Sequence, residues 1–157
     1  MTQADTPGVR ILPPFLFAGA LVLGFALQLL WPVRIAPANQ FLLLRVAGGL
    51  LVLIAIVLAL AARSHFDRAG TNVNPMRPVT ALVLAGPYRF TRNPMYLGLT
   101  LLTAGVALGA NTLWPIVVLI PTLFVLHREV ITKEERLLES RFGDEYRAYR
   151  RRVRRWI

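Results

Sequence analysis

Gly86-Pro-Tyr-Arg-Phe-Thr-Arg-Asn-Pro-Met-Tyr-Leu-Gly98 sets two arginines, two tyrosines, an asparagine and two prolines directly against an apolar run that continues to Ala110. Polar chemistry at the mouth of a membrane helix is costly to build and points to something bound there. A second polar block, Glu134-Glu135 through Tyr149, follows the next apolar run, Thr112 to Leu126. Gly109-Ala110-Asn111-Thr112 between the two runs reads as a tight helix–helix turn. A hairpin of this kind brings the two polar blocks face to face.

Working outward, two longer apolar runs precede the hairpin. Ile11 to Trp31 opens with Pro13-Pro14, where a missing amide donor is tolerated, and closes at Trp31-Pro32. Phe41 to Ala62 is interrupted only by Arg45, close enough to the helix end to snorkel. About 20 residues at 1.5 Å each match the hydrocarbon thickness of roughly 30 Å. The hairpin runs are shorter and predict helices that tilt or stop short of the far interface, the second bent at Pro121. Gly48-Gly49 predicts close approach of another helix, whereas Gly98, Gly105 and Ala107 fit either helix packing or a substrate groove.

Composition agrees. Of 157 residues 55% are hydrophobic and 17% charged, with a mean hydropathy of +0.54; a soluble domain carries nearer a quarter charged residues. The predicted class is an all-α polytopic membrane protein, with about four transmembrane or hairpin helices and a C-terminal helix closing a site. Residues 1–157 are read as a single domain, with two spans in 1–62 and the binding and catalytic region with its hairpin in 63–157. Residues 1–10 lack the features of a cleaved signal. Fifteen of the eighteen Lys and Arg fall in 63–93 and 127–157, which predicts that these segments and both termini face the cytoplasm across an inner membrane. Anionic lipid headgroups are the expected partner of that charge, including an amphipathic tail made by Tyr146, Tyr149 and the final arginines, seated by Trp156. No nucleic-acid module accompanies it.

Cysteine is absent, and the two histidines stand without a ligand cluster, which argues against thiolate chemistry and a metal centre. The chemistry therefore rests on carboxylates, arginines and tyrosines. Glu134 and Glu135 follow an apolar run and need a cation nearby: Arg128, Arg92 or a cationic ligand. Arg89 and Arg92 serve equally as interfacial anchors or as a fork for a carboxylate or phosphate. Thr80 to Leu84 is a short apolar patch able to form a wall. Gly70 to Pro75 reads as a turn, and Arg128 to Tyr149 as a helix.

Gly86 to Gly98, taken with Glu134-Glu135, Leu138, Phe142-Gly143, Tyr146 and Tyr149, resembles the signature of membrane methyltransferases that include isoprenylcysteine carboxyl methyltransferases and phosphatidylethanolamine N-methyltransferases. The resemblance covers about Gly70 onward. It implies S-adenosylmethionine as methyl donor, bound at the cytoplasmic membrane boundary without a Rossmann fold, and a lipophilic small-molecule acceptor (carboxylate, amine or thiol) entering from the bilayer. Carried over by position, Thr80, Ala81, Leu82, Val83, Tyr88, Asn93, Pro94, Met95, Tyr96 and Glu135 would hold the cofactor, with Glu134, Arg128 and Arg92 in catalysis. Glu134 would take a proton from an amine acceptor; Arg128 or Arg92 would orient a carboxylate. The chain departs from the isoprenylcysteine branch, which has His at Asn93 and an arginine at Val130, so that branch's substrate does not carry over. A non-catalytic scaffold or lipid-binding protein retaining the fold is the alternative, and a transporter would need more polar residues inside the spans than this chain has.

Overall fold

The computed structural model describes residues 8–9, 11–71 and 79–157. Among these there is no strand; the chain is an all-α polytopic membrane protein. Helix α1 (Pro13–Leu30) places Pro13 and Pro14 in its first turn and ends before Trp31-Pro32. Helix α2 (Phe41–Arg68) follows a short 3-10 turn, Ala38–Gln40. A second 3-10 turn, Gly86–Arg89, leads to α3 (Pro94–Gly109). Helix α4 (Trp114–Leu126) runs through Pro121 into one π turn, His127–Ile131, and on into α5 (Thr132–Arg152).

Three helices are long and apolar enough to cross a membrane: α1, α2 with its preceding turn, and the continuous rod from Trp114, while α3 is shorter. The apolar part of that rod ends at Ile131. Over half of the 21 residues of α5 are charged, so α5 lies beyond the spanning segment.

Packing is pairwise: α3 lies along α2 and α4 along α1, and the α3–α4 hairpin joins the pairs. Glycine sets the first contact. A Cβ on Gly48 would lie 2.5 Å from the Gly105 carbonyl oxygen, and one on Gly105 would lie 2.8 Å from the Gly48 oxygen. Backbone meets backbone there, as small residues permit. Gly49 faces open space. Gly98 and Gly105 are spent on α2, with a Cβ on Gly98 reaching 3.2 Å from the Ala55 oxygen. They therefore make a helix seam and leave no groove.

Two boundaries differ from the periodicity. Helix α2 extends to Arg68, past the expected end at Ala62, carrying Phe66 beyond the apolar run. The helix expected from Arg128 to Tyr149 is broken at Gly143, whose φ of 51° and ψ of −119° suit only glycine. That break turns the last part of α5 back toward the bundle. The leader residues 1–7 and most of the turn expected at Gly70–Pro75 fall outside the described residues.

Candidate functional site

Both polar blocks meet at one end of the bundle, around a cavity. Its floor is the start of α3, with Asn93, Pro94, Met95 and Tyr96, and one wall is the segment Ala81, Leu82 and Val83. Phe66, from the overhang of α2, and Tyr88 close another side, their rings 5.4 Å apart. Helix α5 covers the cavity with Glu134, Glu135, Leu137 and Leu138 before Gly143, and Tyr146 and Tyr149 after it. Arg92 also lines it.

Of the residues that the sequence singles out, Ala81, Leu82, Val83, Tyr88, Arg92, Asn93, Pro94, Met95, Tyr96, Glu134 and Glu135 come together. Two do not. Thr80 is exposed, its hydroxyl donating to the Gly70 carbonyl at 3.1 Å. Arg128 is exposed within the π turn, its guanidinium 5.0 Å from the Phe124 ring centroid. The extra residue of a π turn rotates the helix face, so the carboxylates point inward while Arg128 points outward.

The two glutamates have opposite environments. Glu135 is 9% exposed and surrounded by cations. Arg155 donates to both its oxygens, Nε to Oε1 at 3.0 Å and Nη2 to Oε2 at 2.5 Å. Arg92 Nη1 stands 3.0 Å from Oε1 without the alignment of a hydrogen bond. Among the described residues Arg92 Nε and Nη1 are both buried and have no hydrogen-bond partner. Glu134 accepts a 2.6 Å hydrogen bond from the Tyr96 hydroxyl and has no ion-pair partner among the described residues. Burial pushes its carboxyl up from 4.5 to about 7; the Tyr96 bond opposes this, and the Glu135 charge adds to it. Burial raises the Tyr88 and Tyr149 hydroxyls well above their usual range, so both stay protonated. Tyr149 donates to the Tyr88 carbonyl at 2.7 Å, tying α5 to the 3-10 turn.

The final segment was missed as part of the site. Tyr146 and Tyr149 are buried against the cavity, which corrects the expectation that they lie out on lipid, and Trp156 packs on the apolar cluster of Phe17, Leu119, Leu126 and Val130. The carbonyl of Arg155 accepts from Thr91 Oγ1 and Asn93 Nδ2, both at 3.0 Å, and that of Arg154 from the Arg92 amide at 3.0 Å. A run of arginines gave no sign of which one folds back.

The fold and this cavity define a helical membrane protein with a polar site enclosed at one end of its bundle. The family model described as phospholipid methyltransferase matches residues 43–145, about two thirds of the chain. The chain belongs to that family, and it is a membrane methyltransferase. A protein of Haemophilus influenzae carrying the description "Uncharacterized protein" is 42% identical over 65 residues, 40% of this chain and all of that relative. No solved structure matches the chain.

Proposed function

We propose that the cavity binds S-adenosylmethionine and directs its methyl group to a lipophilic acceptor supplied by the bilayer, at the cytoplasmic face of the inner membrane. One observation carries the reading. A single cavity is lined by Arg92, whose Nε and Nη1 make no hydrogen bond and whose only ion-pair approach among the described residues is to Glu135, and by Glu134, which has no cation beside it among the described residues. Buried polar groups are nearly always satisfied, and the exceptions mark something to be bound. Groups of opposite sign in one cavity fit a zwitterion, and the cofactor's amino-acid end is one. Its flat base fits the apolar wall of Leu82, Val83, Leu137 and Leu138.

When bound, the cofactor supplies a methyl group on a sulfonium sulfur, open to in-line displacement by an acceptor nucleophile. The chain's own residues align and desolvate. Arg92, in the cavity lining, attracts a carboxylate with its guanidinium charge. Glu134 faces cationic groups, and for an amine acceptor it takes the proton that the nitrogen must lose before its lone pair can attack. Tyr96 holds that carboxylate in place. The aromatic and aliphatic lining keeps water from the reacting atoms.

Calorimetry of S-adenosylmethionine and S-adenosylhomocysteine on the detergent-purified chain tests this, beside Arg92→Leu and Glu134→Gln. Binding by the native chain with a loss of roughly tenfold or more in each variant is expected, the scale of one charge-assisted contact. No binding by a folded native sample would shift the weight to a scaffold that keeps the fold without the cofactor.

A further inference from the structure

Arg155 lies outside the family-matched residues 43–145 and does not line the cavity, yet it determines how Glu135 is satisfied. Its guanidinium makes a parallel two-bond fork with that carboxylate, at 3.0 and 2.5 Å. This geometry is the strongest a carboxylate accepts from arginine. Arg92 is left with a single ion-pair approach to Oε1, unaligned for a hydrogen bond. One negative charge thus sits between two positive ones. The backbone beneath Arg155 is pinned by Thr91 and Asn93, the residues on either side of Arg92.

Resting on the cofactor reading above, we propose that Arg155 is a positioning residue: by saturating Glu135 it keeps Arg92 open to the carboxylate of the bound methyl donor. Without the Arg155 guanidinium, Glu135 would be a buried carboxylate with one cation in reach. Its most favourable arrangement would then be a two-bond fork with Arg92, because a buried charge short of partners is costly. That fork would draw the Arg92 guanidinium fully onto Glu135 and away from a ligand in the cavity. The charge of the trio would also fall from +1 to zero, removing its net attraction for an anion.

The test is a ligand comparison on the full chain in detergent. Native protein, Arg155→Gln and Arg155→Lys are titrated with S-adenosylmethionine and with its decarboxylated analogue, which keeps the sulfonium, amine and adenosine but lacks the carboxylate. Arg155→Gln is expected to weaken S-adenosylmethionine about tenfold and the analogue less than about threefold, with Arg155→Lys in between. A purely structural role would weaken both ligands alike. Equal losses, or no loss, would therefore overturn the positioning role while leaving the cofactor reading standing. If Arg155→Gln does not fold, Arg155→Lys decides by the same criterion: a selective loss of S-adenosylmethionine supports the proposal and an equal loss ends it. A native chain that binds neither ligand would sink the cofactor reading, and this inference with it.

Discussion

The two ends of the bundle handle buried polar groups in opposite ways. At the end away from the cavity, Asn111, at φ 51°, accepts from the Ile35 and Ala36 amides at 3.0 Å each and donates to the Ala36 carbonyl at 2.9 Å. The Gln28 carbonyl oxygen takes the Val33 amide and the Thr112 hydroxyl, and Trp114 Nε1 donates to the Trp31 carbonyl at 2.6 Å. These side chains tie the α1–α2 and α3–α4 connections to each other. At the cavity end Arg92 keeps two nitrogens without a hydrogen bond and Glu134 has no counter-ion among the described residues. The first pattern builds a fold; the second leaves binding capacity in reserve, as functional sites do at some cost in stability.

Substitutions at the two ends should therefore separate stability from activity, and this is where the largest effect is expected. Asn111→Ala orphans two backbone amides and forces a Cβ-bearing residue without a local hydrogen bond into left-handed backbone. The expected loss is about 2–4 kcal/mol, read as a lower unfolding midpoint in detergent, with ligand affinity in the folded fraction unchanged. Asn111→Gly relieves the backbone strain but restores no hydrogen bond, so it should recover only part. Arg92→Leu should do the reverse, losing methyl transfer while the midpoint holds or rises, because Glu135 keeps its Arg155 fork. A midpoint that falls with Arg92→Leu as far as with Asn111→Ala would erase the contrast.

The same contrast explains what could be read from sequence. Local rules reached the helices, the hairpin turn and the close approach of another helix at Gly48, though not which helix it is, because apolar runs, prolines and glycines act within a few residues of themselves. They also grouped Tyr88, Asn93 and Tyr96 with Glu134 and Glu135, since a short hairpin leaves its two ends little choice. Arg128 escaped because an integer spacing does not reveal a π turn, and one extra residue rotated it outward. Phe66 escaped because α2 outruns its apolar stretch. Arg155 escaped for a different reason: among neighbouring arginines only tertiary contacts choose one, and those come from Thr91, Asn93 and Glu135.

A smaller effect tests the reserve at Glu134. Its carboxyl sits at about 7 in the folded chain against 4.5 ordinarily, with burial the main cause. The folded state thus binds more protons than the unfolded state between those values, so stability is fully present below about 4.5 and declines as pH rises through about 7. The loss should be on the order of 1–3 kcal/mol. Thermal unfolding of the ligand-free protein from pH 4.5 to 8 should show this decline, and Glu134→Gln should flatten it. An unchanged slope in the variant would mean that the carboxylate is already well solvated or paired, and Glu134 would drop out of the contrast between the two ends.

The smallest effect comes from comparing two arginine–carboxylate pairs on and beside α5. Arg147 donates to Asp144 Oδ1 through Nε at 3.2 Å and Nη2 at 2.8 Å, two nitrogens on one oxygen where Arg155 engages both oxygens of Glu135. The surroundings differ: the Asp144 side chain is 98% exposed, whereas that of Glu135 is 11% exposed. In water the ions are screened and holding them together costs side-chain entropy, so exposed pairs contribute little. Asp144→Ala should therefore leave both the unfolding midpoint and the cofactor affinity within error of the native protein, at low and at high salt. Glu135→Ala strands the buried Arg92 guanidinium and takes away the partner of the half-buried Arg155, and should lower both. If Asp144→Ala proved as harmful as Glu135→Ala, position along α5 would matter more than burial, and the explanation by burial would fail.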